Sequence, residues 1–564
     1  MTTIPTAAPI GGLHLQPLAK PKKQAVVVIH GIGEQRPLET LRSFVDAVYA
    51  RDPTLTPNHL PLDDPKSARM KLDDGTIVNR TWAVPDATTG SAELRRITTR
   101  PSISGVRTDF YEFYWADIMD GTPLELVTGW VRGLLIRSPL DVPRRTPVIL
   151  AWLMLWALTI VFAIFAIAIA DAEHGWFSLV VTTVIGALAA VRWPLFVVLT
   201  GGGGALVVFR LLQSAWKGFS NRASPAAIAR PKIAWPLGIA VLGVVLFFLL
   251  PVEKASDPRL WASVLTAATG ALISGVMVPY VGDIARFVKA TPSTVLKRKE
   301  VRDRGIALLT ALHDAVDPIT GDRLYDRVVI FSHSLGTIVA YDILQHFWED
   351  RGPNHKRPPM KDPQVLAAFK KVDAFVQKSW AGGASGAGEL PFDLPAFRLA
   401  QAELQQALVA ANEGWLISDF ITVGSPLVHA EFLMSDNRIR MRQEFVERIL
   451  SASPPRPDYP TNSMLYNERR GGQQLGPFVH FAAPFSTVRW TNIYDYDWFP
   501  LFGDLISGPL SDIFGAGIEE HKVRMTRGWG SRFFTHTLYW TLKPTDDPHN
   551  PPEHIALIRK ALAL

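Results

Sequence analysis

Residues 148–170 carry no charged side chain, and three more uncharged apolar runs follow: 175–191, 233–252, and one from near Leu260 to Gly282. A bilayer core about 30 Å thick takes about 20 residues of helix, and each run is close to that length. Buried core helices are the alternative reading, but uncharged runs of this length rarely cluster in one domain. Apolar residues continue past the second run to Thr200, broken by Arg192, and 194–209 could form a further crossing interrupted by Gly201–Gly204. The loop charges choose between the counts. Arg132, Arg137, Arg144 and Arg145 precede the first run, and Asp171 and Glu173 follow it. Arg210, Lys217, Arg222, Arg230 and Lys232 follow the second; the mixed set Glu253, Lys254, Asp257 and Arg259 follows the third. Arg286, Lys289, Lys297, Arg298 and Lys299 follow the fourth. This alternation predicts four crossings with both flanks cytoplasmic, Arg192 snorkelling or facing protein. The expectation is an integral, multi-pass protein of the cell (inner) membrane.

Composition narrows the rest. With 48% hydrophobic and 20% charged residues in 564, and a mean hydropathy of +0.13, the chain has far too much apolar side chain for disorder. It has no cysteine, which excludes a disulfide framework, a thiolate metal site, an iron–sulfur cluster and a cysteine nucleophile. The net charge of +6 is mild, and no nucleic-acid partner is expected. The first 24 residues hold no long apolar run, so no cleavable signal peptide is expected.

Outside the apolar runs, short buried strands alternate with helical spacing. Ala25–Ile29, Arg327–Phe331, Ile417–Val423 and Val488–Tyr494 read as buried strands, and Asp109–Trp115 as extended. Ala68–Val84 alternates around Asp74-Gly75, a hairpin signal. Pro37–Tyr49, Val301–Val316, Thr337–Trp348 and Leu394–Asn412 have helical spacing. Such alternation predicts an α/β fold, a mostly parallel sheet covered on both faces. The helix within 350–412 is either simple packing on the core or part of a lid.

Two motifs carry chemistry. In Val328-Val329-Ile330-Phe331-Ser332-His333-Ser334-Leu335-Gly336 a strand meets a helix through a tight turn with Ser334 at its apex, the arrangement of a nucleophile elbow. Small residues are needed two positions either side; Gly336 supplies one, and Ser332 stands where glycine is usual. His30-Gly31-Ile32-Gly33 follows the first strand, and its glycines let backbone N–H groups approach an oxyanion. Together, in this order, the two stretches resemble the α/β-hydrolase superfamily, in its lipase and serine-esterase branch. Val423-Gly424-Ser425-Pro426-Leu427 also resembles the end of a later lipase strand. The resemblance covers roughly residues 24–130 and 283–545. It implies a hydrolase domain in two parts, 24–146 and 283–564, after a tail at 1–23 and around a membrane insertion at 147–282.

The family orders its triad as nucleophile, acid, histidine, so acid and base are sought after Ser334. Gly503-Asp504-Leu505-Ile506-Ser507-Gly508-Pro509-Leu510 looks like the lipase acid loop, making Asp504 the first choice, with Asp497 and Asp495 as fallbacks. Of His521, His536, His549 and His554, His536 sits in an H-x-x-Y-W stretch resembling the one after the family's histidine. His333 reads as a packed elbow residue. The resemblance then implies a Ser334–His536–Asp504 triad, with oxyanion donors at Leu335 and at Ile32 or Gly33. No H-E-x-x-H or Walker loop occurs, and neither metal nor cofactor is expected. The expected function is hydrolysis of a carboxylic ester, of a lipid or acylated molecule, by a membrane-embedded enzyme. The alternative is a non-catalytic membrane scaffold or channel-like protein that keeps the domain; a transporter is a weaker third, because the runs lack ionisable residues.

Overall fold

Runs of β-branched side chains with no polar face, such as Val26–Ile29 and Val328–Ile330, can only be satisfied where both faces of a strand are buried. They form the middle of an eight-stranded sheet. The computed structural model describes residues 23–31, 37–118, parts of 132–160, 287 and 294–564. Within those ranges it leaves out 58–59, 65, 87–94, 355, 358–359, 381–391, 436, 459–460, 499–501, 528–530, 533 and 544–545.

The strands are β1 (Lys23–Ile29), β2 (Arg69–Lys71), β3 (Ile77–Asn79), β4 (Thr81–Pro85), β5 (Arg95–Thr99), β6 (Arg107–Phe113), β7 (Arg327–His333), β8 (Ile417–Val423), β9 (Leu465–Arg470), β10 (Gln473–Val479), β11 (Arg489–Tyr494) and β12 (Ile518–Lys522). The helices are α1 (Glu39–Val45), α2 (Val295–Asp314), α3 (Gly336–Arg351), α4 (Pro363–Trp380), α5 (Leu394–Ala410), α6 (Ala430–Leu433), α7 (Arg438–Val446), α8 (Ser511–Phe514) and α9 (Glu553–Leu562). The main sheet runs β12-β11-β8-β7-β1-β6-β5-β4. Its first six strands are parallel, and β5 is antiparallel to both neighbours. β2 and β3 pair as the hairpin around Asp74-Gly75, and β9 with β10 as another.

Alternation along each strand separates two cores. Ala25, Val27, Ile29, Val328 and Ile330 face α2, α3, α4 and α5. Val26, Val28, Val329, Phe331, Ile421 and Val423 face α1 and α9. Strands from before residue 119 and after residue 294 thus share one sheet. The chain leaves β1 for β6 on one side and returns to β7 on the other, so the C-terminal ends of β1 and β7 form a topological switch point, where open α/β sheets place their sites.

The four apolar runs lie outside the described residues, apart from short pieces of 148–160. The expectation of an integral membrane protein is corrected: among the described residues, no helix is long and apolar enough to cross a membrane. The two longest show why. α2 carries Lys297, Arg298, Lys299, Glu300, Arg302, Asp303 and Arg304, and α4 carries Lys370, Lys371, Asp373 and Lys378. Each buries a single face. α5 is tied to the sheet layer, with Gln401 Nε2 donating to the carbonyls of Phe485 (2.7 Å) and Val488 (3.0 Å), and Arg398 to that of Trp490 (2.9 Å). Of the two readings of this helix, these contacts are those of core packing.

Burial also sets an acid limit on stability. It pushes the pKa of His30, His313 and His554 down to about 4, and of His333 and His480 down to about 3. Between pH 6.5, their ordinary value, and pH 4 the unfolded chain binds more protons, so stability falls as pH falls. Glu112 opposes this, its carboxyl pushed by burial up to about 7, but one group offsets only a fraction of five. Denaturant unfolding followed from pH 7 to pH 4 is expected to lose on the order of 1 kcal/mol or more per histidine. A flat profile would contradict the burial of these rings.

Candidate active site

The turn after β7 is tight. β7 ends at His333 and α3 begins at Gly336, leaving two residues for the reversal. Ser334 takes φ 54°, a left-handed conformation that costs a non-glycine residue about 1–3 kcal/mol. The turn is held from three sides. Ser334 N–H donates to the Val423 carbonyl (3.2 Å), and the Ser334 carbonyl accepts from Thr337 N–H (2.9 Å) and Thr337 Oγ1 (2.7 Å). Gly336 lets α3 meet the end of β1: a Cβ there would lie 2.6 Å from the Ile29 carbonyl oxygen and closer still to that of His30. Ser332 is fully buried, and its Oγ donates to the Ile421 carbonyl (3.2 Å).

Two loops bring side chains to Ser334. His536 Nε2 lies 2.9 Å from Ser334 Oγ, and His536 Nδ1 lies 2.9 Å from Asp504 Oδ2. A carboxylate only accepts, so Nδ1–H donates to Asp504 and Nε2 is left to accept from the serine hydroxyl. Asp504 is fully buried. Its Oδ2 also accepts from Tyr539 OH (2.8 Å), and its Oδ1 from Ile506 N–H (2.9 Å). Burial raises its pKa, but the charge of His536 and the bonds from His536, Tyr539 and Ser507 outweigh that and hold the carboxyl below its ordinary value.

The fallback carboxylates do not meet the imidazole. Asp495 accepts from Arg532 at 2.9 Å, and Asp497 from the same guanidinium at 3.1 Å. His521 bonds Glu519 (3.1 Å) on the sheet edge, His549 is exposed, and His554 is buried on α9. His333 packs on His536, their ring centroids 4.8 Å apart, and donates from Nε2 to the His536 carbonyl (3.0 Å). With its pKa pushed down to about 3, first by burial and then by His536, it stays neutral near neutral pH.

Leu335 N–H stands at the start of α3, where backbone donors lack intrahelical acceptors. Ile32 and Gly33 lie outside the described residues. Their neighbour Gly31 is described, and a Cβ on it would sit 2.6 Å from Ser334 Cβ, so the chain leaves β1 beside the serine. Tyr539 is the tyrosine of the H-x-x-Y-W stretch, whose spacing marks it in the sequence without giving it a role; the structure gives it the hydroxyl bond to Asp504. Chemically, the arrangement holds a base against a hydroxyl, which is what a weak serine nucleophile needs.

No family model, curated protein or solved structure matches this chain.

A histidine Nδ1–H bonded to a carboxylate gives a far-downfield proton resonance. Asp504→Asn is expected to lose that signal and Asp497→Asn to keep it. The reverse pattern would assign the acid to Asp497.

Proposed function

We propose that this chain is a serine hydrolase that cleaves a carboxylic ester through an acyl-enzyme, with a domain of the α/β-hydrolase kind in its lipase and serine-esterase branch. The observation that carries the reading is the unbroken chain from Ser334 Oγ to His536 to Asp504, 2.9 Å at each link, at the apex of a left-handed turn. The chain order serine, acid, histidine supports it too.

In this mechanism His536 Nε2 takes the Ser334 proton as Oγ attacks the ester carbon. Asp504 holds the imidazole in the required tautomer and stabilises the imidazolium. The oxyanion accepts from Leu335 N–H; such a donor contributes about 3 kcal/mol. The second donor is assigned to Ile32 or Gly33. His536 returns the proton to the departing alkoxide, releasing the alcohol. Water then attacks the acyl carbon, giving a proton to His536, which passes it to Ser334 Oγ as the acyl bond breaks, releasing the acid product and restoring the serine hydroxyl. Trp498, Phe502 and Phe534 expose aromatic surface on the stretches around Asp504 and His536, which favours an ester with an apolar acyl or alcohol part, such as a lipid or other acylated molecule. The one feature that favours the competing reading, a non-catalytic domain, is Ser332 where glycine is usual. The buried bond to Ile421 accommodates serine there and removes that support.

A fluorophosphonate probe is expected to label the wild type covalently and Ser334→Ala not at all. On an ester panel Asp504→Asn is expected to lower kcat by about 10⁴. A folded wild type that takes no probe would refute the enzyme reading.

A further inference from the structure

Asp504 and His536 both sit on irregular loops outside the sheet. A reactive constellation must be held to about 0.5 Å, so something must fix these loops to each other. Asp495 touches both. Asp495, at the end of β11, is fully buried. Its main-chain carbonyl accepts from Asp504 N–H (2.6 Å). Its N–H donates to Tyr539 OH (3.2 Å), whose own proton goes to Asp504 Oδ2. On the base side, Asp495 Oδ2 accepts from Thr535 Oγ1 (2.8 Å), the residue before His536, and from Met525 N–H (3.1 Å). Oδ1 accepts from Arg532 (2.9 Å), on the same loop as His536. The loops also bond directly: Gly503 N–H donates to the Arg532 carbonyl and Thr535 N–H to the Gly503 carbonyl, both at 2.8 Å. Gly503 is drawn in so tightly that a Cβ would lie 2.7 Å from the Asp495 carbonyl oxygen.

We infer that Asp495, paired with Arg532, is a positioning residue that sets the distance between Asp504 and His536. Its main chain holds the acid and its side chain holds the base loop. Its charge makes it look like an alternative acid, but its carboxylate oxygens are spent on Thr535, Met525 and Arg532. This inference rests on the Ser334–His536–Asp504 reading.

The test separates positioning from folding by following fluorophosphonate labelling in time. A folding defect lowers the final labelled fraction; a misplaced base lowers the rate constant. Asp495→Asn is expected to slow labelling about 10- to 100-fold among the molecules that label. Thr535→Val, which removes one hydroxyl and keeps the volume, is expected to slow it several-fold at an undiminished final fraction, and Thr535→Ser to restore it. Wild-type rate constants in both Asp495→Asn and Thr535→Val would overturn the inference and leave the hydrolase reading standing. If Asp495→Asn fails to fold, a wild-type rate in Thr535→Val alone overturns it. Absence of labelling in the folded wild type would sink both.

Discussion

β1 pairs with β7 in parallel register from Gln24–Arg327 to Ile29–Ser332, and the site depends on that pairing. It joins stretches of chain some 300 residues apart and aligns their C-terminal ends. Because the strands end level, Gly31 arrives beside Ser334 and α3 rests on the carbonyls of Ile29 and His30. The left-handed serine is tolerable only because this packing over-determines it. The flanking strands repeat the alignment: β8 ends at Val423, whose carbonyl takes the Ser334 N–H, and β11 ends one residue before Asp495.

Electrostatically, the site keeps one anion in a dry place and surrounds it with donors. Asp504 receives bonds from His536, Tyr539 and Ile506. The neighbouring rings of His30 and His333 are held neutral by burial, so neither competes for the carboxylate. Farther out, Arg532 pairs with both Asp495 and Asp497, so one guanidinium offsets part of the charge of two nearby carboxylates. In a low-dielectric interior such pairing is what makes buried charge bearable.

Much of this was legible. The strands rich in β-branched residues, β1, β7 and β8, declare themselves because a strand buried on both faces must be apolar throughout. β12, Ile-Glu-Glu-His-Lys, does not: it is an edge strand whose Glu520 serves the backbone of Leu510 and Ser511 and the Asn492 amide, so its burial is polar. β4 falls largely within the Ala68–Val84 alternation and lies at the opposite edge with Trp82 exposed; β5, beside it, has no sequence reading, since only its last three residues are buried. The reading of the membrane runs rests on hydropathy and on the alternation of loop charges. The two longest described helices, α2 and α4, each bury a single face.

The sequence by itself determined the kind of turn that holds Ser334, since a strand, a small-residue reversal and a helix follow from local sterics and periodicity. It also determined the order in which serine, carboxylates and histidines occur. Only the tertiary structure decided which carboxylate meets the imidazole. Asp495, Asp497 and Asp504 lie within ten residues of one another and are chemically alike, and what separates them is where two loops fold in space. Arg532 and Thr535 occupy Asp495, leaving Asp504 to reach His536. The Gly503–Leu510 stretch ranks Asp504 first by resemblance, but the energy of the choice comes from contacts made only once the loops are packed together.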